Sequence, residues 1–165
     1  MDNDSLQSRI DEIYARIDAA CVRANRDPKE VQLVAVSKTF PPEVIDEARA
    51  CGLTLFGENR VQEAIAKAHL CGRAEWHLIG PLQRNKIRHA LSLFTCIHSI
   101  DNVRLIEQLA SACDETGVRP DILLEVNVAG EASKHGFTPE SVREGIASAL
   151  ACGLRVVGLM TVPPW

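Results

Sequence analysis

A lysine stands where it could react with a carbonyl compound. Lys38 directly follows the apolar run 31–37, and Pro41 and Pro42 come shortly after it. The run is short and rich in β-branched residues, which predicts a strand buried on both faces, as in a parallel sheet. Pro42 suits the first turn of a following helix. Lys38 is therefore predicted at the carboxyl end of a strand, where α/β folds place their chemistry, although a solvated loop lysine fits the same segment equally well.

Further polar residues lie at or near the ends of later predicted strands. They are Glu58-Asn59-Arg60, His77, His98-Ser99 and Asn127. If the sheet closes into a barrel, these residues converge with Lys38 on a small-molecule site. Taken singly, His77 and His98 are more often packed, hydrogen-bonded histidines than catalysts. The chain has no glycine-rich loop of the P-loop or dinucleotide-binding type.

Helices and strands alternate along the chain and must position these residues. The opening segment from Leu6 to Cys21 has helical spacing, and Asn59, Asp101 and Thr138 are predicted to cap later helices. Six strands are predicted, over 31–37, 53–56, 76–79, 94–99, 122–128 and 154–161. This alternation predicts a parallel α/β fold, but periodicity alone leaves a doubly wound open sheet and a (β/α)8 barrel equally open.

Composition narrows the class of protein. The 165 residues, 46% hydrophobic and 24% charged, predict one soluble domain, and a net charge of −4 gives no general attraction to nucleic acid or anionic lipid. No apolar stretch approaches the roughly 20 residues that a membrane span needs, and the polar, acidic N-terminus is unlike a secretory signal. We therefore expect a cytoplasmic protein. The six dispersed cysteines are interpreted as reduced, packed thiols without a metal-binding cluster.

Five motifs resemble those of a known family. They are Val34-Ala35-Val36-Ser37-Lys38-Thr39, Phe56-Gly57-Glu58-Asn59-Arg60-Val61-Gln62-Glu63, Trp76-His77-Leu78-Ile79-Gly80-Pro81-Leu82-Gln83-Arg84-Asn85-Lys86, His98-Ser99-Ile100-Asp101 and Gly158-Leu159-Met160. In order and spacing they closely resemble the YggS/PROSC family of pyridoxal phosphate homeostasis proteins. The resemblance runs from the first helix to the last residue.

The resemblance implies a (β/α)8 TIM-barrel-like fold of the alanine racemase N-terminal domain type. It also implies that pyridoxal 5′-phosphate (PLP) is held as a Schiff base on Lys38, with Asn59 and His77 flanking the cofactor ring and with no catalytic residue or metal. A partly desolvated strand end would favour the uncharged amine that attacks an aldehyde. Lys134 lies in a loop similar to the family's and could be a second amine near the site, although a solvated loop lysine is the simpler interpretation.

The family's chain continues well beyond the point that matches Trp165. A barrel needs eight strands and only six are predicted here, so we expect residues 1–165 to form a single, incomplete PLP-binding barrel domain of a longer protein. The phosphate-binding segments of the family would fall in the further part, which predicts a weakened hold on the cofactor. Unpaired strand edges are a second expected consequence.

The resemblance favours a carrier in PLP homeostasis that turns over no substrate of its own. We expect a monomer that passes PLP to PLP-dependent enzymes. One alternative is a PLP-dependent amino-acid racemase, but the only tyrosine, Tyr14, has core-like spacing in the first helix and so makes a poor second base. Another is a lyase in which Lys38 attacks a substrate carbonyl without cofactor. A third, binding of nucleic acid, rests only on a short basic segment, which is more often a solvated helix face. That segment contains Arg84, Lys86, Arg88 and His89.

Overall fold

Six parallel strands form one sheet in the computed structural model, which describes residues 5–131 and 135–163. The strands are β1 Ala35–Val36, β2 Leu55–Glu58, β3 Glu75–Leu78, β4 Cys96–Ile100, β5 Asp121–Glu125 and β6 Arg155–Met160. The α-helices are α1 Leu6–Arg23, α2 Pro42–Ala50, α3 Val61–Ala68, α4 Ile87–Leu91, α5 Val103–Thr116 and α6 Val142–Ala151, and two 3₁₀ turns span Pro28–Glu30 and Arg84–Lys86. The predicted number of strands is confirmed.

The order of the strands decides between the two predicted architectures. Each strand pairs in parallel with the next one along the chain, so the spatial order is β1 to β6 without reversal. A doubly wound sheet reverses its strand order partway, whereas a barrel does not. Among the described residues β1 and β6 form the two edges and do not pair with each other, so the fold is barrel-like with an unclosed sheet.

The hydrophobic core lies between the sheet and its helices. Phe56 of β2 and Trp76 of β3 point to the helices with ring centroids 5.7 Å apart, and Leu124 of β5 is fully buried on the same side. Ile45 of α2 and Leu109 of α5 pack into this core. Because side chains alternate along a strand, the next residues face the opposite side of the sheet, which we call the inner face.

The inner face is polar and open by comparison. On β6, Val157 is about half exposed there, at 51%. On β1, Val36 is 46% exposed, so the prediction of a strand buried on both faces is wrong. The reason is positional, since β1 is an edge strand and its inner face is uncovered. The strand is also shorter than predicted, at two residues.

Two helix starts are as predicted or close to it. Pro42 occupies the first turn of α2, which confirms the prediction. The side chain of Asn102, and not that of Asp101, caps α5 by accepting the Leu105 N–H at 2.9 Å.

Two other predicted caps are wrong. Arg60, and not Asn59, is the residue before α3, and its side chain makes no capping hydrogen bond. Thr138 shapes a turn in which its hydroxyl accepts the Ser141 N–H, and α6 begins only at Val142. Helix α3 thus starts one residue later than predicted, and α6 starts three residues later because the Thr138 hydroxyl is used in the turn that precedes it.

All six cysteines are free, which agrees with the prediction of reduced thiols. In the part of the chain that the structure describes, no helix combines the length and the apolar character needed to cross a bilayer.

Candidate functional site

Lys38 lies at the carboxyl end of β1, as predicted. The Ser37 N–H donates to the Gly57 carbonyl at 3.0 Å, so the chain stays paired with β2 for one residue beyond β1. Ser37 is buried toward the helices, and alternation therefore places Lys38 on the inner face. Its side chain is exposed and makes no hydrogen bond or ion pair with any other described residue. The expected partial desolvation is wrong here, because among the described residues no neighbouring element covers the inner face of the edge strand β1.

A strained turn carries Lys38 out of the strand. Thr39 has a φ of 70°, a left-handed conformation that β-branched residues rarely adopt. The Phe40 N–H closes the turn on the Ser37 carbonyl at 3.1 Å, and the Thr39 N–H donates to Glu63 Oε1 at 3.0 Å. Backbone strain of this kind persists only where the surroundings hold it in place, and it clusters at functional sites.

A buried polar cluster holds the turn from the helix side. Lys67 of α3 donates from Nζ to the Ser37 carbonyl at 2.9 Å, to Glu58 Oε1 at 2.8 Å and to Glu63 Oε1 at 2.7 Å. The Ser37 hydroxyl also donates to Glu58 Oε1, at 2.7 Å. We call Ser37, Glu58, Glu63 and Lys67 the brace. It ties the end of β1 to β2 and α3 directly beneath Lys38.

The charges of the brace are well matched. Burial lowers the pKa of Lys67, but the hydrogen bonds to Glu58 and Glu63 outweigh it and raise that pKa above its ordinary value of 10.5. The hydrogen bond from Lys67, and after it the one from the Thr39 N–H, lowers the pKa of Glu63. Lys67 is therefore a fixed cation. Glu58 Oε2, which is buried, accepts no hydrogen bond among the described residues.

Sequence reasoning missed the brace. The only signal was the spacing of Glu63 and Lys67, four residues apart on a helix, which normally indicates a surface ion pair. What makes this pair different is the carboxylate of Glu58, which is fully buried at the end of β2. That contact depends on the tertiary packing of α3 against the sheet.

Asn59 directly follows the carboxyl end of β2, the strand that pairs with β1. We call the edge of the sheet that carries Lys38, Asn59 and Gly80 the rim. Asn59 is half-buried and lines a cavity of about 540 Å³ at the carboxyl ends of the strands. Gly80 approaches it so closely that a Cβ there would lie 2.5 Å from the Asn59 carbonyl oxygen. The buried Ser99 hydroxyl donates to the Gly80 carbonyl at 2.6 Å. The ends of β2, β3 and β4 are thus locked together around Asn59.

His77 also faces inward, but one layer deeper. It pairs with Gly57, which pairs with Val36, two residues before Lys38. Its Nδ1 lies 3.0 Å from Nε2 of His98, and the ring centroids are 5.0 Å apart. Burial lowers the pKa of His77, and burial together with the neighbouring His77 lowers the pKa of His98 to about 4. The structure therefore brings His77 together with His98, and not with Lys38.

Other residues singled out in the sequence have partners of their own or lie outside the described part of the chain. Tyr14 is on α1, which packs into the helix-side core through Ile10. Arg88, from the basic segment, forms an ion pair with Glu115 on the protein surface. Asn127 donates to the Glu131 carbonyl at 2.9 Å within its own loop. Lys134 lies outside the described residues.

The fold and the rim define a class: a (β/α)-barrel domain with a lysine at the end of its first strand. Comparison with known families agrees, since residues 9–164 match the family "Alanine racemase, N-terminal domain". The chain belongs to this family.

Individual relatives within the family match nearly the whole chain. A protein of Aquifex aeolicus is 40% identical over 160 residues, covering 95% of this chain and 70% of the relative. One of Pseudomonas aeruginosa is 42% identical over 164 residues, covering 96% and 70%. Both are named "Pyridoxal phosphate homeostasis protein". The solved structure of PipY from Synechococcus elongatus with PLP bound has a TM-score of 0.76 and 38% identity, covering 92% of this chain and 71% of PipY.

Proposed function

We propose that this chain is a PLP-binding protein of cofactor homeostasis that carries PLP covalently on Lys38 and turns over no substrate of its own. The observation that carries the proposal is the exposed amine of Lys38 at the carboxyl end of β1, which pairs with no other described residue and follows a strand end held by a strained turn. The names of the relatives and the PLP in the PipY structure support it.

The residues present fit the aldehyde end of this cofactor. An amine that captures an aldehyde must be reachable and must be able to lose its proton. Lys38 is exposed and has no carboxylate partner among the described residues, so its amine is reachable. When bound, PLP supplies an aldehyde and an electron sink.

The second residue proposed to contact the cofactor is Asn59, on the rim. Asn59 carries an amide that can both donate and accept hydrogen bonds, and Gly80, itself held by the Ser99 hydroxyl, lies tightly against its backbone. We therefore propose Lys38 for attachment and Asn59 for orientation. Contact between His77 and the cofactor stays a prediction, with the register placing His77 one layer below Lys38.

The absence of turnover is part of the proposal. A racemase of the alanine racemase type uses a tyrosine as its second base, and Tyr14 lies in a helix on the far side of the core from the inner face. That position favours a carrier. Production of D-alanine from L-alanine by the PLP-loaded protein would overturn the carrier proposal in favour of a racemase.

The rest of the proposal depends on the family resemblance. We propose that residues 1–165 act as one barrel-like domain and as a monomer. We further propose that the protein works in the cytoplasm and hands PLP to PLP-dependent enzymes.

Absorbance titration with PLP tests the attachment. The wild-type chain is expected to develop the yellow absorbance of lysine-bound PLP, and Lys38→Ala is expected to lose it. Lys29→Ala is the matched control, because Lys29 is an exposed lysine in a 3₁₀ turn away from the rim. Colour retained in Lys38→Ala would overturn the proposal. A colourless wild type that still condenses with carbonyl substrates through Lys38 would favour the cofactor-free lyase.

A further inference from the structure

We propose that His77, Cys96 and His98 form a binding site for Zn²⁺ on the inner face of the sheet. This site is separate from the PLP function and does not depend on it. It also differs from the sequence interpretation, which found no metal-binding cluster among the cysteines.

The three ligand atoms already converge. His77 of β3 pairs in register with Cys96 of β4, and His98 lies two residues further along β4 on the same face. One nitrogen of each ring and the Cys96 sulfur all lie within 4.8 Å of one another. His77 Nδ1 and His98 Nε2 are 3.0 Å apart. Tetrahedral zinc with bonds of about 2.0–2.3 Å needs its ligand atoms roughly 3.3–3.6 Å apart. Small side-chain rotations would therefore close the site.

A carboxylate supports one of the proposed ligands from behind. Nδ1 of His77 faces His98, while its Nε2 lies 3.5 Å from Glu75 Oε1. Glu75 Oε1 in turn accepts the Thr95 hydroxyl at 2.9 Å. Histidines that bind metals commonly present their second ring nitrogen to a carboxylate in this way, which fixes the ring orientation and strengthens the ligand.

The site has an entrance and room for another ligand. All three residues line a cavity of about 930 Å³ on the inner face, together with Glu75 and Asp121. His77 and Cys96 are buried, whereas His98 is partly exposed toward the cavity. A water molecule or an acidic side chain could complete a tetrahedron from this cavity, which is the arrangement of zinc sites with three protein ligands.

The donor set selects the metal. Two imidazoles and one thiolate suit Zn²⁺, and the all-oxygen ligands preferred by Mg²⁺ and Ca²⁺ are missing from it. On binding, the Cys96 thiol gives its proton to water, and the hydrogen between the two ring nitrogens moves to His98 Nδ1. Each ring then offers a lone pair to the metal while staying neutral. No electron transfer is involved.

Metal titration of the PLP-free protein tests the proposal. Zn²⁺ is expected to bind with one equivalent per chain in competition with a chromophoric chelator. Co²⁺ in its place is expected to give the d–d bands of a tetrahedral site and a thiolate-to-cobalt charge-transfer band. Cys96→Ser should remove the charge-transfer band, and Cys96→Ser and His98→Gln should each weaken binding at least tenfold. Cys152→Ser and His89→Gln, at positions outside the cluster, should leave binding unchanged.

X-ray absorption at the zinc edge of the zinc-loaded wild-type chain keeps the test decisive if a variant fails to fold. It should show one sulfur and two imidazole nitrogens bound to the metal. Absence of stoichiometric binding, a cobalt spectrum without the thiolate band, or a zinc spectrum without a sulfur ligand would each overturn the proposal. Because no PLP is present, these results are independent of attachment at Lys38.

Discussion

Two lysines lie close to the end of β1, on opposite sides of the sheet, and their surroundings contrast sharply. Lys38, on the inner face, is exposed and makes no polar contact with another described residue. Lys67, on the helix side, is 7% exposed and donates three hydrogen bonds of 2.7–2.9 Å. The Lys38 amine thus has no polar partner among the described residues, whereas the Lys67 amine donates all three of its hydrogens.

The difference shows that one lysine can stabilise the end of a strand while a neighbouring lysine stays accessible. Lys67 has a raised pKa and two carboxylate partners, so it stays protonated and cannot attack a carbonyl. It holds the Ser37 carbonyl instead, one residue before the reactive candidate. Lys38, one residue further along, is left exposed on the inner face, which is what the proposed attachment requires. Variants at these positions and in their surroundings test whether Lys67 is structural and Lys38 is not.

Replacing Lys67 should have the largest effect on stability. Lys67→Met leaves the fully buried Glu58 carboxylate without its cation, and breaking a buried pair in this way costs about 3–5 kcal/mol of unfolding free energy. Urea unfolding measures the loss. Lys38→Met is the matched control and should change the unfolding free energy by less than about 0.5 kcal/mol, since its side chain is exposed.

A double variant separates the charge from the shape of Lys67. Adding Glu58→Gln to Lys67→Met removes the stranded charge, so the pair of changes should cost less than the sum of the single ones. If Lys67→Met and Lys38→Met proved equally mild, Lys67 would not be a structural cation and the contrast between the two lysines would fail.

Substitution of Gly80 should have an intermediate effect on the rim. A Cβ at this position would lie 2.5 Å from the Asn59 carbonyl oxygen and 2.6 Å from its Cα, so the backbone must move. Gly80→Ala is expected to cost about 1–3 kcal/mol in stability and to lower the affinity for PLP. Gly158→Ala is the control, because its Cβ would meet only Leu123 Cδ2 at an ordinary 3.7 Å. Equal behaviour of the two variants would show that Asn59 is not held by Gly80.

Relaxing the turn at Thr39 should have the smallest effect on stability. Thr39→Gly removes strain of about 1 kcal/mol at the positive φ but also frees the unfolded chain, so the net change should stay within about 1 kcal/mol. The looser turn should weaken PLP binding by a few-fold, because ordering Lys38 then costs more. Thr39→Ala keeps the strained backbone and should bind more tightly than Thr39→Gly. PLP titration of the two variants compares them, and tighter binding by Thr39→Gly would contradict a preorganised turn.

The fold was largely predictable from local patterns. Pro42 after an apolar run, and glycines or polar residues after each later run, mark the strand ends, so the six strands and the location of Lys38 are evident in the sequence. The caps were less predictable, since Asn59 has the right chemistry but makes no cap, and Thr138 uses its hydroxyl in the turn before α6. Such competition between local partners is settled only by the packed structure.

The surroundings of the site needed the tertiary structure. Cys96 and His98 are two residues apart on one strand and must share a face, but only the register of β3 brings His77 to them. Lys67 has the sequence of a solvated helical lysine until α3 packs against Glu58. The exposure of Lys38 depends on what covers an edge strand, which residues 31–40 do not encode.

Borohydride reduction of the PLP-incubated chain, followed by peptide mass spectrometry, tests the central claim most directly. The account predicts one dominant pyridoxyl group on the peptide containing Lys38, and little or none on Lys67, which lies close by but is buried and protonated. Lys38→Ala should lose this adduct without gaining one at Lys67. A dominant adduct on another lysine, or an undiminished yield in Lys38→Ala, would contradict the assignment of Lys38.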